Sequence, residues 1–153
     1  MSDNKNGKNP YIVQSDPDIS LCTGCSACEI VCGLLHGGAT GPSARRIFVE
    51  KDSTQLIHKV HTCQQCEDHP CLNACPPKIA AMQIDEETGI VYVDDEKCIG
   101  CGLCVKACTF EPKRIQIGYN KKAMKCDLCR DREEGTACIQ WCQVMCINLN
   151  DQQ

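Results

Sequence analysis

Apolar positions along this chain fall in short runs broken by turn residues. Met82-Gln83-Ile84 and Ile90-Val91-Tyr92-Val93 flank a turn containing Thr88-Gly89. Two short runs around such residues predict a β-hairpin. Ile47-Phe48-Val49 and Leu56-Ile57 flank Asp52-Ser53, and Ile115-Gln116-Ile117 and Ala123-Met124 flank Tyr119-Asn120, so two further hairpins are predicted. Short helices are expected over residues 27–35, 71–75, 103–108 and 137–142. Gly33, Gly37 and Gly38 with His36 read as a turn rather than a nucleotide-binding loop. No run approaches the roughly 18 apolar residues of a membrane span. The segment from Met1 to Pro10 has neither a signal-peptide apolar region nor a twin-arginine pair. A soluble, cytoplasmic protein is therefore expected.

Composition changes this picture. Seventeen of 153 residues are cysteine, above the roughly 8–10% at which cysteine ceases to be ordinary. The apolar fraction of 42% includes them, and aromatic residues make up only 4%. The length suits one domain, but large side chains are too few to fill its core, so metal or cross-links must occupy the interior. Seventeen is odd, and cytoplasmic thiols stay reduced, which argues against a disulfide framework. The net charge of −4, without a basic run, gives no support to nucleic-acid binding.

Sixteen of the cysteines form four quartets. The first is Cys22, Cys25, Cys28 and Cys32; the second is Cys63, Cys66, Cys71 and Cys75, followed by Pro76. The third is Cys98, Cys101, Cys104 and Cys108; the fourth is Cys126, Cys129, Cys138 and Cys142. Cys146 is left over. The first and third share the x2, x2, x3 spacing of bacterial [4Fe–4S] proteins. Three thiolates two residues apart wrap a loop around one cuboidal cluster, and Gly24, Ala27, Gly100 and Gly102 keep that loop tight. The fourth cysteine, on the following helix, points away and serves the other cluster of a pair. Structural zinc uses two ligand pairs across a longer loop, which the fourth quartet alone could mimic. Quartets packed into 11 residues suit zinc poorly. No triplet has the x3, x2 spacing of radical-forming clusters.

These elements define an α+β fold of two ferredoxin-like units, each with two [4Fe–4S] clusters, small hairpins and short helices. Quartets two and three, in residues 63–108, form an inner unit. Quartets one and four, in residues 21–62 and 109–150, form an outer unit split in sequence. Residues 1–20 read as an N-terminal extension and 151–153 as a tail.

The stretches Cys22-Thr23-Gly24-Cys25-Ser26-Ala27-Cys28, Arg45-Arg46-Ile47 and Cys63-Gln64-Gln65-Cys66-Glu67-Asp68-His69-Pro70-Cys71 carry a family resemblance. So do Asp95-Glu96-Lys97-Cys98-Ile99-Gly100-Cys101 and Lys125-Cys126-Asp127-Leu128-Cys129. From about Leu21 to Asn148 the chain resembles the four-cluster electron-transfer subunits of molybdenum and tungsten oxidoreductases, of the dimethyl sulfoxide reductase and formate dehydrogenase type. The resemblance implies crossed ligation. One cluster would use Cys22, Cys25, Cys28 and Cys142, and a second Cys126, Cys129, Cys138 and Cys32. A third would use Cys63, Cys66, Cys71 and Cys108, and a fourth Cys98, Cys101, Cys104 and Cys75. Some relatives replace a cysteine of quartet three and hold a three-iron cluster; all four are present here, so none is expected. The usual Cys-Pro after the last cysteine is Cys142-Gln143 here. In lacking long insertions and a C-terminal membrane helix, the chain is similar to the small soluble subunits of tungsten aldehyde oxidoreductases.

A cluster with four cysteine ligands has no open site for substrate, so the expected role is non-catalytic relay of single electrons. No carboxylate pair, Ser–His–Asp set or phosphate loop suggests catalysis. The expected partner is a tungsten or molybdenum catalytic subunit, with a flavin or nicotinamide subunit or a ferredoxin at the other end. End-to-end association of copies is a further expectation. The alternatives are a polyferredoxin serving a hydrogenase, formate dehydrogenase or carbon monoxide dehydrogenase, and a structural zinc module. Loaded with four clusters the protein would carry about −12. Arg45, Arg46, Lys78, Lys106, Lys113, Arg114 and Lys125 are candidates to raise cluster potentials, set against ordinary solvated charges. His36, His58, His61 and His69 read as surface or supporting groups, because every quartet is complete without them. Trp141 reads as packing cover beside Cys142.

Overall fold

The computed structural model describes residues 9–15 and 21–150. Its elements are β1 (Ile12–Gln14), α1 (Ala27–Gly37), β2 (Phe48–Asp52), β3 (Ile57–His61), α2 (Pro70–Asn73) and β4 (Met82–Ile84). They continue with β5 (Val91–Val93), α3 (Leu103–Ala107), β6 (Ile115–Ile117), β7 (Ala123–Lys125), α4 (Ala137–Gln140) and β8 (Ile147–Leu149). The result is a small mixed fold of short helices and four two-stranded antiparallel sheets.

Three of the sheets are the expected hairpins β2–β3, β4–β5 and β6–β7. Their turns are closed by side chains that imitate backbone acceptors. Asp52 Oδ1 accepts the amides of Thr54 and Gln55, at 2.8 and 3.0 Å. Asp85 Oδ1 accepts those of Glu87 and Thr88, at 3.0 and 3.1 Å. Asn120 Oδ1 accepts that of Lys122 at 3.0 Å. The first hairpin runs longer than expected, because β2 reaches Asp52 and β3 reaches His61.

The fourth sheet, β1–β8, was not expected. Ile12 lies opposite Leu149 and Gln14 opposite Ile147. Within residues 1–20, expected to form an extension, β1 is thus part of the folded body. The remaining residues of that stretch, 1–8 and 16–20, and the tail 151–153 lie outside the described residues.

All four helices form where expected, with shifted ends. Helix α1 continues to Gly37 and is stopped at Gly38, whose φ is +65° and whose N–H returns to the carbonyls of Gly33 and Leu34. This is a glycine C-terminal stop. A Cβ on Gly33 would lie 2.4 Å from the Ala39 carbonyl oxygen, so the reversal after α1 requires glycine there. This glycine group forms a helix end and turn, as expected. The other three helices are shorter than expected at their C-terminal ends.

Cysteine supplies much of the interior. One buried group joins Ile12, Val31, Ile47, Val49, Ile90, Leu128 and Ile147 to Cys22, Cys28, Cys32, Cys63, Cys126, Cys138 and Cys146. The other joins Ala81, Met82, Val91, Ile115 and Ala123 to Cys71, Cys98 and Cys104. Helix α1 packs against α4, and α2 against α3.

Candidate metal centres

Each quartet opens with Cys-x-x-Cys, and in all four the residue before the second cysteine is left-handed. Gly24 has φ +69°, Gln65 +46°, Gly100 +69° and Leu128 +57°. Such a residue lets successive backbone N–H groups face one concavity, an arrangement that favours an anion. At Gly100 the constraint is steric as well: a Cβ would stand 2.0 Å from the Lys121 carbonyl oxygen.

The folded chain brings the cysteines together around four separate cavities. Cys22, Cys25, Cys28 and Cys142 line one, together with Cys146. Cys126, Cys129, Cys138 and Cys32 line another. Cys63, Cys66, Cys71 and Cys108 line a third. Cys98, Cys101, Cys104 and Cys75 line the fourth. All seventeen thiols are free of disulfides. In each cavity three cysteines come from one quartet and the last from its pair, through the contacts of α1 with α4 and of α2 with α3.

The cysteine that ends each quartet accepts a backbone N–H: Cys32 from Arg46 at 3.2 Å, Cys75 from Met82 at 3.4 Å, Cys108 from Arg114 at 3.4 Å, and Cys142 from Cys146 at 3.4 Å. Cys63 and Cys98 accept the amides of Gln65 and Ala123, at 3.4 and 3.3 Å. His36 Nε2 stands 3.3 Å from Cys129 Sγ.

Burial makes these thiols hard to ionise alone. It pushes Cys28 up to about 12 and Cys71 up to about 11, the latter against the opposing charge of Lys125. Burial also raises Cys126 and Cys138. Thiolates in such places need metal cations to balance them. The surroundings in turn hold N–H groups that want an anion. Arg46 Nε, at the Cys126 cavity, and Arg114 Nε, at the Cys63 cavity, are buried with no hydrogen-bond partner. Among the described residues, no three Cys, His, Asp or Glu side chains converge on a point that could hold one metal ion. The sulfurs surround a space instead, which suits a multi-atom cluster better than zinc with its bonds of roughly 2.3 Å.

Neighbouring cavities share elements. Helix α1 packs against α4 where the Cys22 and Cys126 sets exchange cysteines, and α2 against α3 where the Cys63 and Cys98 sets do. Gln65 Nε2 donates to the Cys126 carbonyl at 2.9 Å, which joins the Cys63 set to the Cys126 set. The two exposed cysteines, Cys25 and Cys101, belong to the Cys22 and Cys98 sets.

The basic candidates divide sharply. Lys78 and Lys106 are exposed. Arg45 pairs with Glu29 at 3.2 Å and Arg46 with Asp127 at 2.6 Å. Lys113 Nζ donates to the Cys108 carbonyl at 2.7 Å. The guanidinium of Arg114 lies over Phe48 and Phe110, 5.9 and 5.4 Å from the ring centroids. Lys125 is only 2% exposed and lines the Cys63 cavity. Its Nζ donates to the carbonyls of Val91 and Cys126 and to Gln65 Oε1. Gln65, also 2% exposed, was not singled out in the sequence. Its amide donates to the Val91 and Cys126 carbonyls at 3.3 and 2.9 Å and accepts the Val91 N–H at 2.9 Å. It ties quartet two to quartet four. Trp141 is 57% exposed and lines none of the four cavities, so it is not the cover expected for a cluster. His61 pairs with Glu50 at 2.8 Å, as a supporting group.

Cysteine-lined cavities on a scaffold of hairpins and short helices define an iron–sulfur protein that transfers electrons. The chain belongs to the 4Fe-4S dicluster domain family, whose pattern matches residues 54–152. It is 44% identical over 121 residues to the polyferredoxin-like subunit of an aliphatic sulfonate oxidoreductase from Pyrococcus furiosus, spanning 79% of this chain and 66% of that one. It is 34% identical to the electron transport protein HydN of Escherichia coli K12, across 87% of this chain and 86% of HydN. In fold it is similar to the active-site complex BamBC of benzoyl coenzyme A reductase, with a TM-score of 0.50 and 22% identity over 94% of this chain and 77% of that one.

Proposed function

We propose that the chain holds four [4Fe–4S] clusters in one row and is a non-catalytic electron-transfer subunit of a larger oxidoreductase. The observation that carries this reading is the presence of four cavities, each lined by four quartet cysteines drawn crosswise from paired quartets. The ligand sets are Cys22, Cys25, Cys28, Cys142; Cys126, Cys129, Cys138, Cys32; Cys63, Cys66, Cys71, Cys108; and Cys98, Cys101, Cys104, Cys75. A bound cluster of this type supplies one-electron chemistry with no open coordination site. The protein's own residues hold the thiolates in place and direct N–H groups at ligand sulfur, which sets potential. The inner ferredoxin-like unit is residues 63–108, and the split outer unit is 21–62 with 109–150.

Exposure of Cys25 and Cys101, in the sets at the two ends of the proposed row, suits entry of electrons at one end and exit at the other. One end would meet a tungsten or molybdenum catalytic subunit. The other would meet a flavin or nicotinamide subunit, a ferredoxin or a second copy of this chain. The relatives named as an oxidoreductase subunit and an electron transport protein support such a partnership. Among the described residues no helix is long and apolar enough to cross a membrane, and the reading places the protein in the cytoplasm.

Anaerobically purified protein should contain about 16 iron and 16 acid-labile sulfide per chain. About eight iron with bound zinc would overturn the four-cluster reading. Capture of the native complex, followed by metal analysis, tests the partner: tungsten or molybdenum supports it, and a nickel-containing hydrogenase or carbon monoxide dehydrogenase would replace it.

A further inference from the structure

The cavity of the Cys22 set holds five sulfurs, not four. We infer that Cys146 is not a cluster ligand but the hydrogen-bond donor that raises the redox potential of the cluster held by Cys22, Cys25, Cys28 and Cys142. This rests on the four-cluster reading above and assigns a role to the one cysteine outside the quartets.

The assignment begins with a repeated piece of backbone. The residues that give their N–H to the quartet-ending cysteines are Arg46, Met82, Arg114 and Cys146. Three of them are followed by an isoleucine buried to 1–3% exposure: Ile47, Ile115 and Ile147. Cys146 therefore occupies the place held by Arg46 and Arg114 at the neighbouring cavities. That place belongs to the neighbour of the ligand. The equivalent of Cys32 and Cys108, the ligand itself, is Cys142.

The side chain of Cys146 then has a definite relation to that ligand. It is 1% exposed and lines the cavity. Its sulfur lies 3.6 Å from Cys142 Sγ. Two sulfurs 3.6 Å apart on one wall offer the metal a single position. When Cys142 fills it as a thiolate, it has no proton to give, and the proton of the S···S contact sits on Cys146. Cys142 then accepts two hydrogen bonds from one residue, N–H and S–H. Donors to ligand sulfur stabilise the extra negative charge of the reduced state and raise the potential. At this position the neighbouring cavities have the cations Arg46 and Arg114, and the far end has Met82, which has no side-chain donor. One structural position thus carries a thiol at one cavity, a guanidinium at two and a thioether at the last.

The test compares wild-type, Cys146→Ala and Cys146→Ser proteins, purified anaerobically. Iron and sulfide are assayed on the same samples used for potentiometric titration followed by electron paramagnetic resonance. Cys146→Ala should keep the full iron and sulfide content while one midpoint potential moves negative and the others stay. Cys146→Ser, whose hydroxyl is a stronger donor, should raise that midpoint above the wild-type value. Loss of about a quarter of the iron from Cys146→Ala would overturn the inference by making Cys146 the ligand. Unchanged midpoints at full iron content would overturn it by reducing Cys146 to packing. Should Cys146→Ala fail to fold, Cys146→Ser decides alone: a raised midpoint supports the donor role, and an unchanged set refutes it. Wild-type protein with well under about 16 iron would instead refute the four-cluster reading, before any variant is compared.

Discussion

Lys125 offers the sharpest perturbation of the proposed relay. It is buried, and its ammonium is held by the Val91 and Cys126 carbonyls and Gln65 Oε1. No carboxylate is among these partners. A buried cation without a counter-ion is costly, and an anionic cluster in the adjoining Cys63 cavity would supply one. Lys125→Met removes the charge and keeps the stem. It orphans no acceptor, because Gln65 Nε2 still donates to both carbonyls and Val91 N–H still donates to Gln65 Oε1. The redox effect is therefore separable from folding. Two unit charges about 8 Å apart at an effective dielectric of about 20 interact by about 2 kcal/mol, which sets the scale of the effect on the reduced state. For one electron that is about 90 mV. Potentiometric titration by electron paramagnetic resonance should show one midpoint lowered by about 50–100 mV at full iron content. Lys106→Met, which removes an exposed charge, should move nothing by more than about 20 mV, since water gives a quarter of the effect and salt screens it further. Four unmoved midpoints in Lys125→Met, or a midpoint that rises, would refute the electrostatic reasoning.

Further outcomes follow from single contacts. Gly100→Ala combines a left-handed backbone with a Cβ 2.0 Å from the Lys121 carbonyl oxygen, so it should lose the cluster of the Cys98 set, read as about a quarter of the iron. Glu29 is 5% exposed, accepts the Val49 N–H at 2.9 Å and pairs with Arg45 at 3.2 Å. Glu29→Ala should cost about 2–3 kcal/mol, a fall in Tm of roughly 5–10 °C by anaerobic circular dichroism, with Glu29→Gln recovering part of it. Removing iron with a chelator should unfold the chain cooperatively, because cysteine fills so much of its core and metal binding is coupled to folding. Retention of native circular dichroism after iron loss would contradict this.

The hairpins were legible because their turn residues, Asp52, Gly89 and Asn120, act locally and leave a mark in sequence. The β1–β8 pair was not, because its partners come from opposite ends of the chain and neither three-residue strand carries a pattern of its own. Glycine announced the left-handed turns at Gly24 and Gly100. Gln65 and Leu128 make the same turn without any such signal, and there tertiary contacts impose the conformation. Among the seven basic candidates nothing in the sequence distinguished Lys125 from Lys106. The difference is that β7 is buried along its whole length, whereas α3 presents Lys106 to solvent. The four quartets are legible in spacing alone, while the crossed pairing was implied by the family resemblance. The role inferred for Cys146 needed the backbone equivalence with Arg46 and Arg114, which spacing does not contain.

The central claim is four clusters with crossed ligation. Its most direct test is an anaerobic crystal structure with anomalous data collected at the iron absorption edge. The account predicts four iron centres in a row, with Cys142, Cys32, Cys108 and Cys75 each closing the site of the quartet paired with its own. Fewer than four iron centres, or any quartet ligating a single cluster with all four of its own cysteines, would contradict it.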